Sequence, residues 1–296
     1  YEIAREFPPE PSEPLFEVGD IIREYGPAYR ANHNIGHAQH KAMTAIEKCR
    51  TTALGGHVDE CDHCGHIEIS YNSCRNRHCP KCRASQRSAW VDARELELLP
   101  IQYFHIVFTL PDTLLALARY NPVIIYDLLF KSAAETLQTF ARNRWDARLG
   151  IIMVLHTWGQ TLNEHPHVHC IVTGGALKLD GSAFVRAPKN FLFPVPALSR
   201  VFREKYLDAL QAAKDKGRLD LGGQPALSTA AGWKALLQAL RVHQWVVYAK
   251  HPFADPTYLL RYLGRYVNRI AIANHRIQSI DGGVIAFTYK DNRIKE

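Results

Sequence analysis

The sequence predicts an α+β protein in which a small zinc-binding domain precedes a mainly antiparallel sheet with flanking helices. Three observations predict it. Two Cys-x-x-Cys pairs stand close together, Cys61/Cys64 and Cys79/Cys82. A run of strand character carries His167-Val168-His169. Further apolar runs of strand length alternate with helical stretches and hairpin turns. With 296 residues, 47% of them hydrophobic, the chain can bury a core in more than one domain.

Residues 1–30 read as an acidic, proline-rich arm or linker, extended above all from Phe7 to Glu17, where Pro8, Pro9, Pro11 and Pro14 stand among acids. Helical patterning runs from about Val18 to Lys48, and residues 31–95 read as a helical lead and zinc-binding domain. A helix through Trp90–Leu99 closes that block, and residues 96–296 read as a second domain, the candidate catalytic one. There, Ile101–Leu110 is a strand stopped by Pro111-Asp112, and Asn121-Pro122 caps and starts a helix reaching Trp145. Strands over 150–158 and 167–173 are joined by a polar turn near Asn163-Glu164, and Asp180-Gly181 marks a hairpin. A helix over 197–217, a loop over 222–228, a strand over Val242–Ala249, a helix from Asp255-Pro256 to about Ile270 and a strand over Val284–Tyr289 complete the reading. No internal repeat is visible.

The formal charge is +7 and the isoelectric point about 9.0, which suits a polyanionic partner without specifying one. Its distribution says more. Residues 71–90 hold Arg75, Arg77, Lys81, Arg83 and Arg87 with no acid, a set suited to phosphates. A protein-binding zinc module is the alternative reading of the same block. No apolar run approaches the length of a membrane span. The chain starts at Tyr1 rather than Met and stops in charged sequence at Glu296, so it reads as trimmed at both ends.

Of seven cysteines, six lie between Cys49 and Cys82, and no secretory signal precedes them. Such pairs in a long chain are metal ligands in a reducing compartment rather than disulfides. Cys61, Cys64, Cys79 and Cys82 together supply the four thiolates that a closed zinc site prefers, and the binding energy of such a site is folding energy, on the order of 10 kcal/mol. Cys49, His57, Cys74 and His78 are candidates for a second zinc in an interleaved cross-brace, with His63 and His66 as competitors. His33, His37 and His40 share a helical stretch, where solvated or packed histidines are the commoner outcome.

In the run His165-Pro166-His167-Val168-His169-Cys170, strand alternation puts His167 and His169 on one face and Val168 and Cys170 on the other. Two imidazoles on one face are half a metal site. Gln160, seven residues earlier, is the candidate third ligand across the hairpin. Such a set leaves open positions and suits Mg²⁺ or Mn²⁺, nitrogen donors favouring Mn²⁺. His165 is left for a supporting or DNA-contacting role.

On the helix after Pro256, Tyr258, Tyr262 and Tyr266 recur every four residues. They lie between an apolar stripe (Leu259, Leu263, Val267) and a basic one, Arg261, Arg265 and Arg269. An exposed phenol flanked by cations is placed to attack a phosphate, although its pKa near 10 requires help from a metal. Aromatic packing is the bland alternative.

Taken together, these residues resemble the HUH endonuclease superfamily. More closely, Leu54-Gly55-Gly56-His57, the Cys61/Cys64 pair, Asn72-Ser73-Cys74-Arg75-Asn76-Arg77-His78-Cys79-Pro80-Lys81-Cys82, Thr157-Trp158-Gly159-Gln160, His165-Pro166-His167-Val168-His169 and Tyr262-Leu263-x-Arg265-Tyr266 resemble the insertion-sequence ninety-one family of rolling-circle transposases. The resemblance spans roughly residues 40–290. It implies an HUH-type sheet with two catalytic tyrosines, Tyr262 and Tyr266, leaving Tyr258 to packing. It also implies nicking and strand transfer on single-stranded DNA of transposon ends and target, through a 5′-phosphotyrosine link, in a bacterial cytoplasm. No nucleotide cofactor or membrane partner is expected. A plasmid relaxase or replication initiator of the same chemistry, a non-catalytic zinc-dependent DNA-binding regulator and a zinc hydrolase are the competing readings.

Overall fold

The computed structural model describes residues 14–82, 84–253, 256–264 and 270–289. In chain order the elements are α1 (Val18–Asn32), α2 (His37–Glu47), β1 (Gly56–Glu60), β2 (Ile67–Tyr71), α3 (Ala84–Glu95), β3 (Tyr103–Thr109), α4 (Leu115–Tyr120), α5 (Pro122–Trp145) and β4 (Ala147–Trp158). There follow β5 (Glu164–Lys178), β6 (Phe184–Arg186), α6 (Val195–Asp215), α7 (Ala230–Val242), β7 (Val247–Phe253), α8 (Pro256–Gly264), β8 (Ile277–Asp281) and β9 (Val284–Phe287). They fall into two compact units: residues up to Trp90 with Gln160–Leu162 and those from Asn268 onward, and Val91–Gly159 with Asn163–Val267.

The second unit is built on an antiparallel sheet of order β4-β5-β3-β7, with β6 pairing the far end of β5. Alternation sorts β5 cleanly. Val168, Cys170 and Val172 are fully buried among Phe104, Ile106 and Phe108 of β3, Leu155 of β4 and the apolar sides of α5 and α6. On α5 the buried residues Ile125, Leu129, Ala133, Leu137 and Ala141 recur every four residues, the stripe a helix needs to pack on a sheet. The opposite sheet face carries His167, His169 and Ile171 of β5 beside His156 of β4 and His105 and Val107 of β3. The expected α+β class with a mainly antiparallel sheet is therefore the one observed.

Several boundaries differ from the sequence reading. The helical patterning from Val18 onward is realised in α1, which takes in residues 18–30 of the segment read as an arm. Asn121 precedes α5 as expected, but its side chain does not cap that helix: its amide donates to the Leu117 carbonyl of α4 (3.1 Å) and the Asp220 carbonyl (2.8 Å), while its oxygen accepts from the Asp220 N–H (2.6 Å). Helix α7 was not anticipated, although Thr229 caps it by accepting from the Gly232 N–H, and Trp233 and Leu240 form its buried side. Val242 ends that helix, so the following strand starts five residues later, at Val247.

The first unit holds two small hairpins, β1–β2 and β8–β9, together with α1 and α2. Its buried centre is a knot of Ile46, Cys49, Cys79 and Cys82, packed by Val18, Ile22 and Cys74. Arg30 pairs with Glu47 at 2.7 Å and ties α1 to α2. Asn274 accepts from the Val18 N–H at 3.2 Å and joins the C-terminal hairpin segment to α1.

Candidate metal centres

In the first unit, Cys49, Cys74, Cys79 and Cys82 converge, their sulfurs all within 4.8 Å of one another. The Sγ atoms of Cys49 and Cys82 are 3.1 Å apart, and those of Cys74 and Cys82 3.5 Å. Arg50 and Arg75, each directly after a cluster cysteine, take positive φ angles of 53° and 51°. At the second turn this conformation helps to aim the Asn76 N–H at the Cys74 sulfur. Burial pushes Cys49 and Cys74 up to about 12 and Cys79 to about 11. At Cys82 burial is outweighed by hydrogen bonds from the Cys49 and Cys74 thiols and the Arg75 N–H, which bring it down to about 7. One thiol is thus ready to ionise, and a divalent ion would drive off the other protons. Four converging sulfurs supply the donor set of a closed zinc site and fit zinc in a structural role.

This grouping differs from the pairing that the spacing suggests. Cys79 and Cys82 join Cys49 and Cys74, whereas Cys61 and Cys64 lie exposed at the tip of the β1–β2 hairpin. The hairpin is the physical reason: five strand residues on each side put its tip roughly 15 Å from its base, at about 3.3 Å per residue. The tip keeps a knuckle-like turn, with the Gly65 N–H donating to the Cys61 carbonyl at 2.8 Å. His57 and His78, offered for a second zinc, are both exposed, His57 beside Asp59 (3.3 Å) and His78 accepting from Arg77 Nε (3.1 Å).

The second unit brings together His156, His167 and His169, again with ligand atoms within 4.8 Å of one another. His167 Nε2 lies 3.1 Å from His169 Nε2 and 3.3 Å from His156 Nδ1. Imidazole nitrogens about 2.1 Å from a shared ion would stand roughly 3.0–3.4 Å apart, so the three are already spaced to hold one. His167 Nδ1 donates to the His165 carbonyl, which turns Nε2 toward the cluster. Burial, helped by the neighbouring imidazoles, holds the trio neutral and therefore ready to ligate: it lowers His156 to about 3, His167 to about 4 and His169 to about 2.

His156 is a functional candidate that the sequence reading missed. It stands directly opposite His167 in the β4–β5 register, whereas Gln160 lies beyond the end of β4, in the turn. There the Gln160 carbonyl accepts from the Arg276 guanidinium at 2.6 Å. The available signal was a third histidine on the preceding strand. Using it required placing the turn at 159–163 rather than at 163–164, because that choice decides which residues face each other.

Tyr262 lies on α8, where Leu259, Leu260 and Leu263 are buried; its side chain, with Tyr266, Arg265, Arg269 and Arg83, lies outside the described residues. Tyr258, read as packing, is 44% exposed. Among the basic candidates Arg75 and Arg77 are exposed and Arg87 half-buried. Lys81 is paired with Glu17 at 2.6 Å and Arg261 with Glu95 at 3.3 Å, so neither charge is wholly free for phosphate.

A buried four-sulfur cluster and a three-imidazole cluster on a sheet face are the sites that known proteins must account for. Residues 21–110 match the family described as "Transposase zinc-binding domain", and residues 150–296 the family described as "Putative transposase". The class is thus a transposase with an N-terminal zinc-binding domain. The chain is 48% identical over 281 residues to "Putative transposase y4qJ" of Sinorhizobium fredii, covering 94% of this chain and 71% of that one. It is 32% identical over 257 residues to the transposase for insertion sequence element IS801 of Pseudomonas savastanoi pv. phaseolicola, covering 86% and 61%. The chain belongs to the insertion-sequence ninety-one family of transposases. Among solved structures, the conjugative relaxase TrwC in complex with oriT DNA aligns at 18% identity with a TM-score of 0.30, covering 56% of this chain and 72% of that one.

Proposed function

We propose that this transposase is a metal-dependent single-strand DNA nuclease and strand-transferase of the rolling-circle type. The observation that carries the reading is the convergence of His156, His167 and His169 on one face of the sheet, neutral and spaced for one ion. His156 takes the role first expected of Gln160. Three nitrogen donors favour Mn²⁺ over Mg²⁺ at this position. When bound, the ion would polarise a phosphate oxygen and stabilise charge developing on it. The chain's own residues do the rest.

Tyr262 and Tyr266 are the proposed nucleophiles. The phenol oxygen of one attacks phosphorus, the bond to the 3′ oxygen breaks, and the phenol proton is released as the departing 3′ oxygen gains one. The product is a 5′-phosphotyrosine link and a free 3′-hydroxyl. The bond energy stays in the link, so rejoining needs no nucleotide cofactor. A second tyrosine permits a second transfer at the same centre. Arg75 and Arg77, exposed beside the sulfur cluster, would neutralise phosphates of bound DNA.

The test incubates the protein with labelled single-stranded oligonucleotides from element ends in Mn²⁺ or Mg²⁺ and looks for an adduct that survives denaturation. We expect an adduct from the unaltered protein and none from the Tyr262→Phe/Tyr266→Phe double variant or from His167→Ala. Cleavage without an adduct would favour a hydrolase, and binding without cleavage a regulator.

A further inference from the structure

A fourth buried imidazole stands behind the proposed metal ligands. His105 on β3 is 3% exposed, and its Nε2 lies 2.8 Å from Nδ1 of His169, with the two rings stacked at 20° and 5.1 Å between centroids. The sheet produces this placement. In the β3–β5 register His105 is opposite Ile171 and Val107 opposite His169, so His105 sits diagonally across from His169 on the same face. The contact uses the nitrogen of His169 that points away from the cluster, while its Nε2 is the atom lying 3.1 Å from His167 Nε2.

We infer that His105 is a positioning residue that fixes the tautomer and orientation of His169, with its Nε2 lone pair turned toward the cluster, by accepting a hydrogen bond from His169 Nδ1–H. This rests on the metal reading proposed above. The chemistry is that of an outer-shell partner: a ligating imidazole whose other N–H is held cannot switch tautomer or rotate, so its donor atom is presented without a reorganisation cost. Two histidines of the trio are thus secured by different acceptors, His167 by the His165 carbonyl and His169 by a side chain. A neutral imidazole in this position adds no negative charge behind the ligand. A carboxylate would add one, making His169 more basic and the ion a weaker Lewis acid. Lys250 of β7 is opposite His105 in register, so the nearest strand beyond brings a cation rather than an acid.

The test uses two substitutions at one position. His105→Leu removes the acceptor at similar bulk, and His105→Gln returns a polar atom close to where Nε2 stood. Long-range nitrogen–proton NMR of the metal-free protein reads the His169 tautomer, and titration with Mn²⁺ followed by its paramagnetic resonance reads affinity. We expect a single Nδ1–H tautomer at His169 in the unaltered protein and a mixture in His105→Leu. Mn²⁺ affinity should fall by about 10–100-fold in the Leu variant, with most of it restored by Gln. An unchanged tautomer in His105→Leu would overturn the inference, as would equal loss with Leu and Gln in folded protein, which would mark His105 as a ligand or a packing residue. If the tautomer responds as expected but the unaltered protein binds no Mn²⁺, the hydrogen bond stands and the metal reading fails.

Discussion

Among the described residues, the sulfur and imidazole clusters are both largely buried and both placed by local backbone rules, yet they are built for opposite ends. In the sulfur cluster, cysteines are gathered from four points along 49–82, and the surrounding apolar residues are few: Ile46, Val18 and Ile22. Remove the ion expected there and little remains to hold that part of the unit together. In the imidazole cluster, three neutral side chains stand on a sheet whose other face is locked into a large core. There the fold supplies the site, whereas at the sulfurs the site supplies the fold. Ligand chemistry would follow the same division, four soft sulfur donors suited to a closed zinc site against three imidazoles that would leave positions open on a bound ion.

The largest effect should come from breaking the sulfur side. Stripping zinc, or Cys79→Ser, should unfold the region around 49–82 at a cost on the order of 10 kcal/mol. Limited proteolysis with metal analysis reads this, and an intact fragment pattern after verified zinc loss would refute the assignment. On the imidazole side, His156→Ala should weaken Mn²⁺ binding by more than the roughly 10–100-fold typical of an outer-shell partner, with little change in melting temperature. Gln160→Ala should change binding by less than about 3-fold, since the polar atom of Gln160 that the structure engages is its carbonyl. The reverse ranking would restore Gln160 as the ligand.

A pH series sharpens the contrast further. His105 and His167 are lowered to about 4, His156 to about 3 and His169 to about 2, first of all by burial. Below pH about 6.5 the unfolded chain takes up protons that the folded chain refuses. The second unit should therefore lose stability progressively as pH falls from about 6.5 toward 4. Tryptophan fluorescence during denaturant unfolding of metal-free protein follows this, since Trp145, Trp158, Trp233 and Trp245 all belong to that unit; a flat midpoint would contradict the buried neutral histidines. The smallest effect is expected at the hairpin tip, where the Cys61→Ser/Cys64→Ser double variant should leave the zinc of the four-sulfur cluster in place. Its loss, measured by metal content per chain, would bring the hairpin cysteines back into that site.

Much of this was legible in the sequence wherever one local rule governs. Strand parity alone put His167 and His169 together and sent Val168 and Cys170 inward, and Pro122 marked the start of α5. What was not legible depended on pairing at a distance. Whether Cys79 and Cys82 meet Cys61 and Cys64 or Cys49 and Cys74 is decided by where a hairpin points, which spacing does not encode. His156 and His105 required the registers of two strand pairs, and a turn misplaced by a few residues exchanges the partners. Helix α7 follows the Gly222-Gly223 loop with a Thr229 cap, but Trp233 and Leu240 are the buried residues of its apolar side, a sparse signal in the sequence.

The two-faced strand β5 also limits how this gene segment can change. A substitution at Val168 or His169 alters one side chain, but losing or gaining a single codon between them would move every later residue to the opposite face, sending His169 into the hydrocarbon core and Cys170 to the ion. Length variation among descendants of this chain should therefore collect at the Asp180-Gly181 turn and in the 216–229 connection, while the stretch from Glu164 to Thr173 keeps its count of residues even where its composition drifts.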